Sequence, residues 1–311
     1  MPAGARTLTV GAGQQYPVPS QAIAAAEDGD TIAISPGSYF DCAVVHRNRL
    51  VIEGIGDGAI MTDRPCQDKA SLVIQADDVT VRNLTLARVR VPDGNGAGIR
   101  LEAPSLTVQR VTFDNDQVGL LGSSAGGTIR IEDSTFVDGG TTGDRALSAV
   151  MSPAAKLLRI TGSTFRHVNG GQVWTAADKT ELIGNTIETG AGDAPRPAVW
   201  AAAGTLLMQD NAITVGPNRP SQAAAVVVFD DASATLQKNR LDNRTGAPLA
   251  LLLDWSTGSP TLDGNTVAPG DTLSSTSGLW RHRVSSTLHS AKDELRGMAG
   301  RAKRSVSALL R

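Results

Sequence analysis

Aromatic residues are scarce in this chain: two Tyr, five Phe and four Trp make up 4% of its 311 residues. Cysteine is scarcer still, with two. No apolar run reaches the roughly 18 residues of a membrane-spanning helix, which excludes an integral helical membrane protein. The opening residues (MPAGARTLTVG) lack the basic-then-apolar pattern of a secretory leader. A net charge of −2 argues against a nucleic-acid-binding protein. No His/Cys/Asp/Glu group has metal-ligand spacing, so neither metal nor cofactor is expected.

What the chain does have is repetition. A short strand-like phrase with a small polar corner recurs eight times: VRNLTL, VQRVTF, IEDSTF, ITGSTF, LIGNTI, MQDNAI, LQKNRL and LDGNTV. Their last residues are Leu86, Phe113, Phe136, Phe165, Ile187, Ile213, Leu241 and Val267, spaced 27, 23, 29, 22, 26, 28 and 26 apart. A β-rich period of about 25 residues with Gly/Asn corners is the pattern of a solenoid. A narrow interior filled by Val, Ile, Leu and Ala explains why aromatics are few. Two residues before the aligned position stand Ser134, Ser163, Asn185, Asn211, Asn239 and Asn265. Stacked asparagines at one corner are expected to form an internal ladder, each tolerating the left-handed bend.

Four regions follow: 1–30, an N-terminal strand and a capping helix over 22–27 with Ser20 as its cap; 31–270, the coils; 271–278, a linker; and 279–311, an amphipathic helix. The last region carries eight Lys/Arg against two acids, about +6, which leaves about −8 on the remainder.

Cys42 and Cys66 lie 24 residues apart, close to one repeat, which stacks them on neighbouring rungs. Rungs about 4.8 Å apart suit a disulfide, though two buried thiols are the alternative. The bridge would pull toward a periplasmic or secreted protein; the compartment is otherwise open.

The phrase DTIAISPGSY (30–39), NGAGIR (95–100) and the repeated corners resemble a right-handed parallel β-helix of the pectin-lyase-like superfamily, over about residues 7–270. The resemblance implies an all-β solenoid of nine to ten coils and polysaccharide as the default ligand. Cys42, Cys66 with Lys69-Ala70, and Asn95–Arg100 also resemble a bacterial β-helix-repeat group of unassigned function. The polygalacturonase aspartate cluster and the epimerase Asp-Pro-His signature are absent. Where the related group carries His, Lys and Arg in its middle coils, this chain reads RALS (145–148) and GQVWTAA (171–177).

The strands after the turns change character along the chain. Ile99 and Leu101 alternate with Arg100 and Glu102, which predicts one wet face in the early coils; VWTAA, VWAAA and LALLL carry no charge, so their outer face needs an apolar cover. The 279–311 helix, a second subunit or an anionic membrane surface would each supply an apolar or basic counterpart. Trp174, Trp200 and Trp255 are the candidate carbohydrate-binding residues, stacking on sugar rings, or else anchors for that helix. Asp144, Arg145 and His167 are the candidate catalytic acid–base and cationic groups, drawn from a polar set that also holds Asp93, Asn95, Arg100, Asp114, Asp116 and Asp138. These features predict a non-catalytic binding or scaffold protein associated with glycans. The alternative is a lyase or epimerase acting on uronate polymers.

Overall fold

The structure, a computed structural model, describes residues 4–122, 126–140, 147–189, 196–217 and 224–275. It is a right-handed parallel β-helix of about nine turns. Each complete coil places three strands on three faces. In one early coil these are Ala70–Ile74 on the first face, Val79–Arg82 on the second and Thr85–Ala87 on the third. The next coil repeats them as Ala97–Leu101, Leu106–Gln109 and Thr112–Asp114. All pairing between coils is parallel, and the third face forms its own nine-stranded sheet. In the later coils the first two faces fuse, because Val199–Gln209 and Ala224–Gln237 run on without a loop. Gly204 makes that corner: its φ is +73°, and a Cβ there would lie 2.1 Å from the Ala177 carbonyl oxygen.

The repeated phrase supplies the core. Its aligned residues form one inward row on the third face, where Phe113, Phe136 and Phe165 stack with centroids 4.6 and 4.7 Å apart. That spacing is the rung spacing of parallel strands. The rings fit because Gly98 and Gly119 face them; a Cβ would come within 2.6 and 2.5 Å of ring carbons. Tyr39 and Met61 extend the row upstream, in coils whose sequence lacks the phrase.

At the corner between second and third faces, side-chain oxygens accept backbone N–H groups from the preceding coil. Ser134 Oγ accepts from Val111 N, Ser163 Oγ from Ser134 N and Asn185 Oδ1 from Ser163 N. Asn185, Asn211 and Asn239 each donate Nδ2–H to the Oδ1 of the next asparagine, at 3.0, 2.8 and 2.9 Å. The left-handed residue is not the asparagine. It is the one before it: Gly184, Asp210, Lys238 and Gly264 carry φ of 64°, 54°, 53° and 60°. The bend therefore frees the asparagine to turn inward with ordinary backbone angles.

The N-terminal cap also departs from expectation. The helix spans Pro19–Ala25, one turn earlier than the pattern suggested, and Ser20 lies inside it. Its first turn is capped from a distance: Asp41 Oδ2 accepts the Ser20 N–H at 2.7 Å. Cys42, next to Asp41, is bonded to Cys66 with Cα atoms 5.5 Å apart. The 279–311 region lies outside the described residues.

Candidate functional site

The outward side chains of the three faces differ in kind. On the second face they are polar and paired across coils: Arg82 with Glu53 at 2.6 Å, Gln109 with Glu132 at 2.9 Å, and Arg159 with Glu181 at 3.4 Å. On the first face one register row reads Val44, Val73, Arg100, Leu121, Met151, Trp174, Trp200, Val227, Leu253 and Ser275. These residues point away from the core, yet Val73, Leu121, Met151, Trp174, Val227 and Leu253 are buried. They form two apolar clusters separate from the interior. The early coils therefore do not offer the wet first face that Arg100 and Glu102 suggested. Arg100 is the one charged side chain in the row, and its neighbours Val73 and Leu121 are already apolar.

Aromatic rings collect at the C-terminal half of this face. Trp200 and Phe229 stack with centroids 5.1 Å apart and planes 19° from parallel; Phe229 meets Trp255 edge-on at 5.5 Å. Phe229 links two of the predicted tryptophans and had no signal of its own, since it follows a run of valines. Trp174 is in register with Trp200 but is 8% exposed, and its indole N–H has no acceptor. Trp200 and Trp255 are half-buried and keep part of their rings at the surface.

The predicted catalytic residues do not gather here. Asp144 and Arg145 lie outside the described residues. His167 sits at the end of the third face, exposed, with Nδ1 3.1 Å from Asp138 Oδ1. Asp138 and His167 both have left-handed backbones (φ 53° and 54°), equivalent corner positions of successive coils. Asp63, Arg88 and Asn115 hold the same corner in earlier coils, which makes this column a repeated turn.

The polar groups near the first face cluster around Arg100. Lys69 Nζ lies 2.6 Å from Glu102 Oε1, and Gln75 Nε2 donates to Glu102 Oε2 at 2.8 Å. Burial alone would raise the Glu102 carboxyl, but the Lys69 ammonium and the Gln75 amide outweigh it and hold it below its usual range. Asp93 accepts from Asn95 Nδ2 at 2.8 Å. Asp116 lies at the turn leading into the first face and is 1% exposed. Burial pushes its carboxyl well above the usual range, against the Val89 N–H that Oδ1 accepts at 2.9 Å. The adjacent Gln117 organises the loop below: its Oε1 accepts the N–H groups of Val91 and Gly96. Among the described residues no group of three or more His, Cys, Asp or Glu side chains could hold a metal. None of their helices is long and apolar enough to cross a membrane.

Neither a family model nor a curated protein sequence matches the chain. Solved structures do. The pectin methylesterase PemA from Erwinia chrysanthemi superposes with a TM-score of 0.48 at 10% identity, covering 89% of this chain and 94% of that one. The pectin methylesterase from Yersinia enterocolitica gives 0.46 at 12% identity, covering 86% and 96%. ORF18 of Geobacillus virus E2 gives 0.44 at 11%, where the match covers 82% of this chain and spans 57% of the viral one. The likeness is one of fold, and the site has to be read from this chain's own residues.

Proposed function

We propose that this protein is a non-catalytic, glycan-associated β-helix whose first face is a binding or scaffold surface. The observation that carries the reading is the row from Leu121 to Leu253, six consecutive rungs with no acid, base or nucleophile. Such a row supplies apolar contact and, through Trp200, Phe229 and Trp255, flat rings against which sugar C–H faces stack. It supplies no proton transfer. The buried part of the row needs a standing cover, and residues 279–311 or a partner subunit would provide it. A helix over 280–310 would measure about 46 Å, matching a body of about 45 Å, with its apolar side on the row and its basic side toward solvent and the acidic body.

One panel tests the reading. The full chain is incubated with uronate-containing and neutral polysaccharides, following both retention in affinity gels and the near-ultraviolet absorbance of unsaturated uronate. Retention without absorbance is expected. Appearance of the absorbance would replace the reading with a lyase, for which Asp144, Arg145 and His167 are the residues to vary. Deleting 279–311 is expected to change oligomeric state or solubility, since it would bare the apolar row; an unchanged monomer of equal solubility would remove the tail from the account.

A further inference from the structure

Among the described residues the solenoid is closed at one end only. At its start the Pro19–Ala25 helix buries Ala22 and Ile23 against the first coils. At the far end the inward rows run on into a last coil. There Leu262 follows Leu236, Val267 follows Leu241 and Leu273 follows Leu251. The earlier three are 0%, 3% and 0% exposed, whereas Leu262 and Val267 are half-buried and Leu273 is 39% exposed. Asn265 ends the asparagine column half-buried, where Asn239 before it is buried. No described residue after Asp254 is buried. The strands Thr261–Asp263 and Thr272–Ser275 pair with the coil before them, and no described strand lies beyond.

Such an end exposes core side chains and a template for further strands, and a solenoid needs a cap with a polar outer side there. We infer that this end is an intramolecular docking surface and that its occupant is the tail of the same chain, from Leu279 onward. Three observations favour the tail. The first is continuity: residues 276–311 follow directly on Ser275, which lies in the last strand. The missing rung would lie about 4.8 Å beyond that strand, and four extended residues reach about 13 Å, so Leu279 and Trp280 fall where it would begin. The second is pattern: Trp280, Val284, Leu288 and Ala291 recur at helical steps, an apolar stripe about 17 Å long to set against Leu262, Val267 and Leu273. The third is charge. Residues 245–280 hold Asp254, Asp263 and Asp271 and no Lys or Arg, while 279–311 hold eight Lys/Arg against two acids. A second copy would instead set the same acids face to face. The inference goes beyond the glycan reading: of the two covers named above, the tail goes to the end of the coil and a partner subunit is left for the row.

Hydrogen exchange of the full chain, compared with a chain lacking 279–311, tests it. Deletion is expected to speed amide exchange in 261–275 at least about tenfold, with 97–137 unchanged. Trp280→Asp, which keeps the tail and removes its leading apolar contact, should speed the same amides and no others. The shortened chain should self-associate through its bare edge, and Ser274→Pro in that background, which removes an edge N–H, should restore the monomer. Unchanged exchange in 261–275 on deletion overturns the inference. So does a shortened chain whose association is cured by Trp200→Lys instead, which would place the tail on the row. A full-length dimer that Ser274→Pro separates would give the end to a second copy and overturn it as well. Retention in polysaccharide gels reads the glycan proposal separately, so either can fail alone.

Discussion

Single residues decide this structure at its corners. The asparagine positions were legible because their chemistry repeats at a fixed interval, while the residue that bends was not, since Gly, Asp and Lys share that role with no common side chain. Asn211 shows what the column does. It accepts the Asn185 N–H and donates to Leu182 O and to Asn239. Asn211→Ala leaves those buried groups unpaired, and a loss of about 2–3 kcal/mol is expected in urea denaturation. Two carboxyls act with opposite signs in pH. Asp30, held at about 2 first by its hydrogen bonds with the Arg6 guanidinium, contributes fully above about pH 4, and its contribution disappears as pH falls through 2. Asp116 has its folded value raised by burial, so it favours the fold below about pH 4 and that advantage is lost as pH rises from there. Asp116→Asn keeps an acceptor for the Val89 N–H and cannot ionise. It is expected to melt above wild type at neutral pH and to converge with it near pH 3.

At the scale of elements, the first coils are held by contacts that the repeat does not supply. The Cys42–Cys66 bridge closes a loop with a sequence separation of 24, and Asp41 beside it caps the Pro19–Ala25 helix. Replacing both cysteines by serine is expected to cost about 3 kcal/mol and to speed amide exchange in residues 37–70 while leaving the later coils protected. Asp41→Ala should cost about 1 kcal/mol through the lost cap. The cysteine spacing could be read from one dimension of sequence, because it equals one coil. The Asp41 cap could not, because it pairs residues 21 apart on different elements. The same limit hid Phe229, which lies two positions beyond the outward Val227 and meets Trp200 and Trp255 only once the coils are stacked. On that face Trp174→Ala is expected to cost about 3–5 kcal/mol, as for a buried aromatic, and Trp200→Ala clearly less. Equal losses at both positions would make the outer tryptophan a packing residue too.

Across the whole molecule, the frame and the working surface follow different rules. Coil period and inward row are shared by all coils from Tyr39 onward, and the corner column is set by the repeat from Ser134 to Asn265. The outer faces are free to diverge, and they do: a charged second face, a third face ending in a left-handed polar corner, and a first-face row that is uncharged apart from Arg100. Sequence alternation misjudged the first face because Arg100 and Glu102 look like solvated residues until their neighbours in adjacent coils are known. The central claim is that binding belongs to this face and not to the polar corner that holds His167. Affinity electrophoresis in gels cast with a uronate polymer, comparing Trp200→Ala with His167→Ala, measures it directly. The account predicts that Trp200→Ala loses retention while His167→Ala migrates like wild type; loss of retention in His167→Ala with Trp200→Ala unaffected would contradict it.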